Sequence, residues 1–292
     1  MVIALAAAAA FLFALGTVLQ QRAAVREPSG GPRGAASLLL RLARRPVWIG
    51  GILADGLGFL AQAGALAIGR LAVVQPVLAT TVVFALPLGA WLTSQRIRPR
   101  EWIAAAVVTA ALIAFLVVAN TSGGRDDAPL GEWLVAAIPV GAASAALVAA
   151  GWRARPGLKA ALLGTATGIL FGLSAALTKA TVDQLDDGIL HLVLDWHLYA
   201  LLVVGYASMT LSEVSLQTGV LAPAIATASI FDPIASVALG VTLFEESLHD
   251  DALGVAASIL ALGAMFVGLG VLARSEGARQ EPDAPAAGAT GR

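Results

Sequence analysis

The 292-residue chain contains no cysteine, which excludes disulfides, thiolate metal sites and thiol nucleophiles. Charge is also scarce. Only 13% of residues are Asp, Glu, Lys or Arg, about half the ~25% of an ordinary soluble domain. No basic stretch is interleaved with aromatic residues, so no nucleic-acid partner is expected. No Gly-rich phosphate loop is present, so ATP-driven pumping is not encoded here. What the chain does have is apolar surface. At 58% hydrophobic residues it holds more than a water-bounded core can absorb, and the bilayer must be the solvent. Its 31 glycines, together with many alanines, predict close helix contacts through small residues.

Apolar runs of about 20 residues, each long enough to cross a bilayer, recur between charged or Gly/Pro-rich breaks. They predict nine spans at 2–21, 46–68, 71–93, 101–119, 130–150, 158–180, 197–216, 220–243 and 250–272. The first run lacks a basic flank before it, and Arg22 follows it, so it reads as a span rather than a cleaved leader. The piece SLLLRLARRP before the second span reads as a surface-lying amphipathic helix. The stretch 275–292 reads as a disordered tail.

Charge sets the orientation. With the N-terminus outside, 15 Arg and Lys residues fall inside and only Arg70, Arg125 and Lys179 fall outside. That split satisfies the positive-inside rule and places the C-terminus in the cytoplasm of a multi-pass plasma-membrane protein. Eleven acids and all three histidines (His191, His197 and His249) lie on the outer side.

A shift of 147 superposes Pro76 on Pro223, Ala79 on Ala226, Thr80 on Thr227 and Phe84 on Phe231, and also Gly58 on Gly205. The expected plan is an all-α polytopic bundle at 1–274, with a first half-repeat at 1–119, a linking span at 130–150 and a second half-repeat at 158–272. Spans one to four would then repeat as six to nine in inverted orientation, the plan of secondary transporters with substrate near the midplane.

Three acids are embedded. Asp55 sits about nine residues into its span, where a carboxylate costs roughly 2.5–3.5 kcal/mol and needs a partner, water or a proton. Helical spacing puts Asp55, Gly58, Phe59 and Gln62 on one face, expected to look into the bundle. Asp232 lies mid-span beside Pro233, which frees the Ser229 carbonyl. Glu213 is near a span end and can snorkel out. Gln75, Pro76, Thr80, Pro223 and Thr227 complete the candidate pathway. Lys179 is expected to pair with Asp183, one turn away.

The runs FALGTVLQQRA, ILADGLGFLAQAGALAIGRLAVVQPV, GVLAPAIATASIF and VTLFEESL resemble the drug/metabolite transporter superfamily, and within it the NIPA-like magnesium transporters. The likeness covers roughly 12–119 and 200–272. It implies an EamA-like carrier working by alternating access. Asp55 matches the family's acidic position, whereas Asp232 has no counterpart there. Magnesium keeps several waters and needs only one or two carboxylates, so Asp55 and Asp232 would suffice if they met. A proton-coupled exporter of a small metabolite would use the same carboxylates, and both readings stand. An intramembrane aspartyl protease would want a Tyr-Asp pair and a Gly-x-Gly-Asp run, which are missing. A non-transporting scaffold is the remaining alternative. No catalytic residue and no resident cofactor are expected. The partners are the lipid bilayer and a small-molecule or cation substrate, with a homodimer as an open alternative to a monomer.

Overall fold

The computed structural model describes residues 1–25, 44–93, 97–118, 124–125, 127–185, 188–218, 221–247 and 252–280. Every regular element among them is helical: α1 (Val2–Val25), α2 (Pro46–Ile68), α3 (Leu71–Leu78), α4 (Thr81–Thr93), α5 (Pro99–Val118), α6 (Leu130–Trp152), α7 (Pro156–Asp183), α8 (Ile189–Leu194), α9 (Trp196–Leu216), α10 (Leu221–Leu243) and α11 (Ala252–Gln280). Nine segments of the described chain are long and apolar enough to span a membrane, with α3 and α4 counted together. The protein is an all-α polytopic membrane protein.

The ends of these helices follow from local chemistry. Pro46 and Pro156 open α2 and α7, where the missing N–H is no loss. Asp195 caps α9 by accepting the His197 N–H at 2.8 Å, as N-cap carboxylates do. Leu53, Leu57, Ile103, Val135, Ile138, Leu202 and Val203 stay exposed on the bundle's outside. In lipid that carries no penalty, because the tails are as apolar as the side chains.

The last helix runs on to Gln280, past the point where the sequence predicts a tail, while 281–292 and most of the expected surface helix lie outside the described residues. A short helix, α8, occupies part of the predicted loop at 181–196.

Helix contacts in the two halves expected from the sequence run in parallel. The first helix of each half, α1 or α7, lies against the next two spans of its own half: α1 against α2 and α3–α4, α7 against α9 and α10. The last helices, α5 and α11, pair with each other across the halves. The linking helix α6 rests mainly on α7. Small residues allow the closest approaches. A Cβ at Gly164 would come within 2.3 Å of the Ala224 carbonyl oxygen, and one at Gly168 within 2.6 Å of that of Ala228. One at Gly172 would fall 2.6 Å from the Ala235 Cβ. Three glycines spaced by four residues thus let α10 lie directly on the α7 backbone.

The third predicted span is not one helix. Pro76 has no N–H to give the Ala72 carbonyl, and α3 stops at Leu78. The Thr80 N–H then reaches only to Val77 O, at 3.1 Å. The hydroxyls of Thr80 and Thr81 donate to Val77 O and Leu78 O, each at 2.6 Å. They satisfy carbonyls that a continuous helix would have used, and α4 restarts at Thr81.

Candidate transport site

Asp55 meets its partner across the α1–α2 interface. The Gln20 side-chain amide donates to the Asp55 carboxylate, and the carboxylate lies so close over Gly16 that a Cβ there would overlap it. Gly51 likewise accommodates the Gln20 side chain. Asp55 is half-buried, so its charge is partly satisfied by an amide donor and partly open to its surroundings. Gly58 is buried against the Phe13 ring, with a virtual Cβ 3.0 Å from it. Gln62 is half-buried, but Phe59 is 44% exposed on the outside of the bundle. The expected inward face therefore spans Asp55, Gly58 and Gln62 and leaves out Phe59, which rotates out toward lipid.

Gln75, Pro76 and Thr80 are all buried at the interrupted third span. Among the described residues the Gln75 side-chain nitrogen is buried without a hydrogen-bond partner, an uncompensated donor costing about 1–3 kcal/mol. Such groups persist where water or a ligand completes them.

In the second half, Thr227 bonds to Pro223 O at 2.9 Å and reaches across to Ala161 O on α7 at 3.0 Å. Asp232 is half-buried, and Ser236 donates to it at 3.4 Å. Its own backbone lies on Gly168 and Gly172. Asp55 and Asp232 therefore sit in different helix interfaces, one at α1–α2 and the other at α7–α10. No group of three or more His, Asp or Glu among the described residues could hold a metal ion. Glu213 is exposed on α9, as a snorkelling side chain would be.

A second polar cluster lies at the end of the bundle where α2 turns into α3. Glu246, 1% exposed, accepts the Leu71 and Ala72 N–H groups, each at 2.8 Å. A residue of the second half thereby caps a helix of the first half, at the end where the helix dipole favours an anion. Burial pushes the Glu246 carboxyl up, and the two amide bonds, with Lys179 and Arg70 nearby, only partly offset that.

Lys179 is 8% exposed and does not pair with Asp183. Its ammonium rests 5.3 Å from the centre of the Phe244 ring. A cation–π contact supplies about 2 kcal/mol at best, less than the several kcal/mol of burying an ammonium. The Arg70 Nη1 is buried with no hydrogen-bond partner among the described residues. Arg125, by contrast, is engaged by Leu243 O, Glu132 and Glu245.

Arg70, Arg125, Lys179 and Glu246 line one cavity of about 310 Å3. This convergence of the three basic residues assigned to one side was missed in the sequence, where they stand far apart. Beside it, Asp127 accepts from the Trp133 indole at 3.0 Å and lies 3.2 Å from the His197 ring. Burial works to raise the Asp127 carboxyl, but the nearby His197 ring and hydrogen bonds from Trp133 and the Ala128 N–H together hold it below the usual range.

The chain is 32% identical over 249 residues to an uncharacterized protein of Corynebacterium glutamicum, an alignment covering 84% of each. The chain belongs to that protein's family. No family model and no solved structure matches it. The shared family extends over most of both chains, so the relationship concerns the membrane bundle as a whole rather than a fragment of it.

Proposed function

We propose that the protein is a secondary transporter of the drug/metabolite class, moving a small solute by alternating access between its two inverted halves. The observation that carries this reading is the interruption of the third span at Ala79–Thr80. Broken backbone at membrane depth is tolerated where it lines a cavity or is buried in protein, and discontinuous helices mark the sites of many carriers. Buried Gln75 flanks the break, and the neighbouring second span carries Asp55, a half-buried carboxylate with a single amide partner. A carboxylate so placed can take up and release a proton without dismantling a structural ion pair.

The geometry favours a small metabolite over magnesium, because Asp55 and Asp232 occupy separate interfaces. A magnesium carrier would have to bring them together in another conformation. The Arg and Lys distribution orients the α2–α3 turn outward and the C-terminus inward. In this reading, Glu246 holds the two halves together at the outer mouth.

A flux screen in proteoliposomes, run across small metabolites and divalent cations with and without a proton gradient, tests the proposal. Saturable, gradient-dependent flux of an organic solute is expected. Magnesium flux with thermal stabilisation by that ion would move the substrate to the cation reading. No flux of any solute would leave a membrane scaffold.

A further inference from the structure

The cavity at the α2–α3 turn has chemistry that the midplane carboxylates do not use. Of its four charged side chains, Arg70, Arg125 and Lys179 are cationic and only Glu246 is anionic, so its lining is net positive. Arg125 is tied to Glu132, Glu245 and Leu243 O, and Glu246 is tied to two backbone amides. Arg70 and Lys179 are left over. Among the described residues, the Arg70 Nη1 is buried with no hydrogen-bond partner, and Lys179, nine-tenths buried, rests on the Phe244 ring and makes no ion pair. Glu246 lines the same cavity, but its carboxylate oxygens are taken by the Leu71 and Ala72 N–H groups, and among the described residues it makes no ion pair with Arg70 or Lys179. Buried cations of this kind are rare unless something pairs with them. The site already holds one carboxylate, that of Glu246, on the first amides of α3, so its geometry accepts an oxyanion.

We infer that this cavity binds a small oxyanion, the carboxylate or phosphate group of a solute or of a lipid headgroup, between Arg70 and Lys179. The guanidinium offers a planar fork suited to two oxygens, and the ammonium adds a compact point charge. Gly69 and Gly124 also line the cavity. The inference deepens the transport reading by naming an anion as the solute class that meets this mouth, but binding itself does not depend on transport.

The test uses the full chain purified in a phosphate-free, uncharged detergent. Inorganic phosphate and succinate are titrated against chloride at matched ionic strength, with thermal unfolding and calorimetric binding as readouts. Saturable stabilisation by phosphate or succinate, and none by chloride, is expected, since a ligand of the folded state raises its stability by mass action. Lys179→Gln and Arg70→Gln should each weaken binding about tenfold or more, as loss of a charge-assisted contact does. Lys179→Arg should retain binding, which keeps the test decisive should Lys179→Gln fold poorly. A further arm compares nanodiscs of phosphatidylglycerol with nanodiscs of an uncharged lipid. Stabilisation by phosphatidylglycerol that requires Lys179, with no response to the soluble anions, would identify the headgroup as the source.

Absence of any saturable response to soluble anion or anionic lipid overturns the inference. So does a response unchanged in both Arg70→Gln and Lys179→Gln. Asp55→Asn separates the two claims. It should lose flux and keep anion binding, and a wild type that binds anion but moves nothing would sink transport while leaving this site standing.

Discussion

The two halves of the bundle begin from matching sequence and end in different backbones. Pro76 and Thr80 align with Pro223 and Thr227, yet the third span breaks at Ala79–Thr80 while α10 runs unbroken from Leu221 to Leu243. Pro223 falls in the first turn of α10, where a missing N–H breaks no helical bond, whereas Pro76 sits inside its span. Thr227 is anchored across the interface to Ala161 O, and α10 is seated on Gly164, Gly168 and Gly172 of α7. The Thr80 hydroxyl bonds only within its own turn, to Val77 O, and no comparable glycine track holds α3 and α4 to α1. The interior Pro233 of α10 is absorbed where that helix lies on the α7 backbone, and Pro76 coincides with a break. Of the two matched spans, the one with the interrupted backbone belongs to the first half.

The largest effect should come from spoiling the glycine seat. Gly168→Leu drives a side chain into the α10 backbone, at a cost above the ~3 kcal/mol of ordinary overpacking, and should leave no monodisperse protein on size-exclusion chromatography. Gly168→Ala should lower stability by about 1–3 kcal/mol. Gly16→Ala in the first half meets the movable end of Asp55, so it should unfold the protein less but impair flux more. Equal thermal losses at Gly16 and Gly168 would erase the contrast between the halves.

Next come the prolines. Pro76→Ala should restore the Ala72 bond, raise stability by up to ~3 kcal/mol and reduce flux, while Pro233→Ala should stabilise with little effect on flux. Unfolding midpoints beside initial flux rates check both, and identical flux in the two variants would remove the functional meaning of the break.

A smaller effect is expected at the contact joining the halves. Glu246→Gln retains one acceptor for two N–H groups and should cost about 1–3 kcal/mol, read as a lower unfolding midpoint. Smallest is the pH effect at Asp127. Its carboxyl titrates lower in the folded protein than in the unfolded chain. Its contribution is therefore complete above the ordinary Asp range near 3.9 and is lost as pH falls through the lower folded value. Wild type should lose stability between about pH 4 and lower values, and Asp127→Asn should lack that part of the slope. Parallel pH curves would remove Asp127 from the account.

Much of this architecture was legible in the chain. Hydropathy gave the spans, with 46–68 recovered as Pro46–Ile68, because the thickness of lipid dictates the length of an apolar run. The aligned Pro76 and Pro223 fall in α3 and α10. Hydropathy is blind to hydrogen bonding, however, and could not say that Pro76 would break a span while Pro233 would not. Nor could spacing find Gln20, which meets Asp55 from 35 residues away, although QQ at the end of the first span was a visible polar signal. Lys179 turned to Phe244 rather than Asp183 because its helix end faces the loop after α10. That same long-range closure gathers Arg70, Arg125 and Lys179.

The most direct test of the account is proton-coupled flux by Asp55→Asn in proteoliposomes, measured beside its unfolding midpoint. The substitution preserves size and the contact with Gly16 while removing the ionisable group, and a carboxylate at this depth persists at a cost of kilocalories only if its charge or proton is used. The account predicts a folded, inserted protein whose flux is lost and no longer responds to pH. Unchanged flux with unchanged pH dependence would show that Asp55 serves only to join α1 to α2, and would contradict the placement of the transport site.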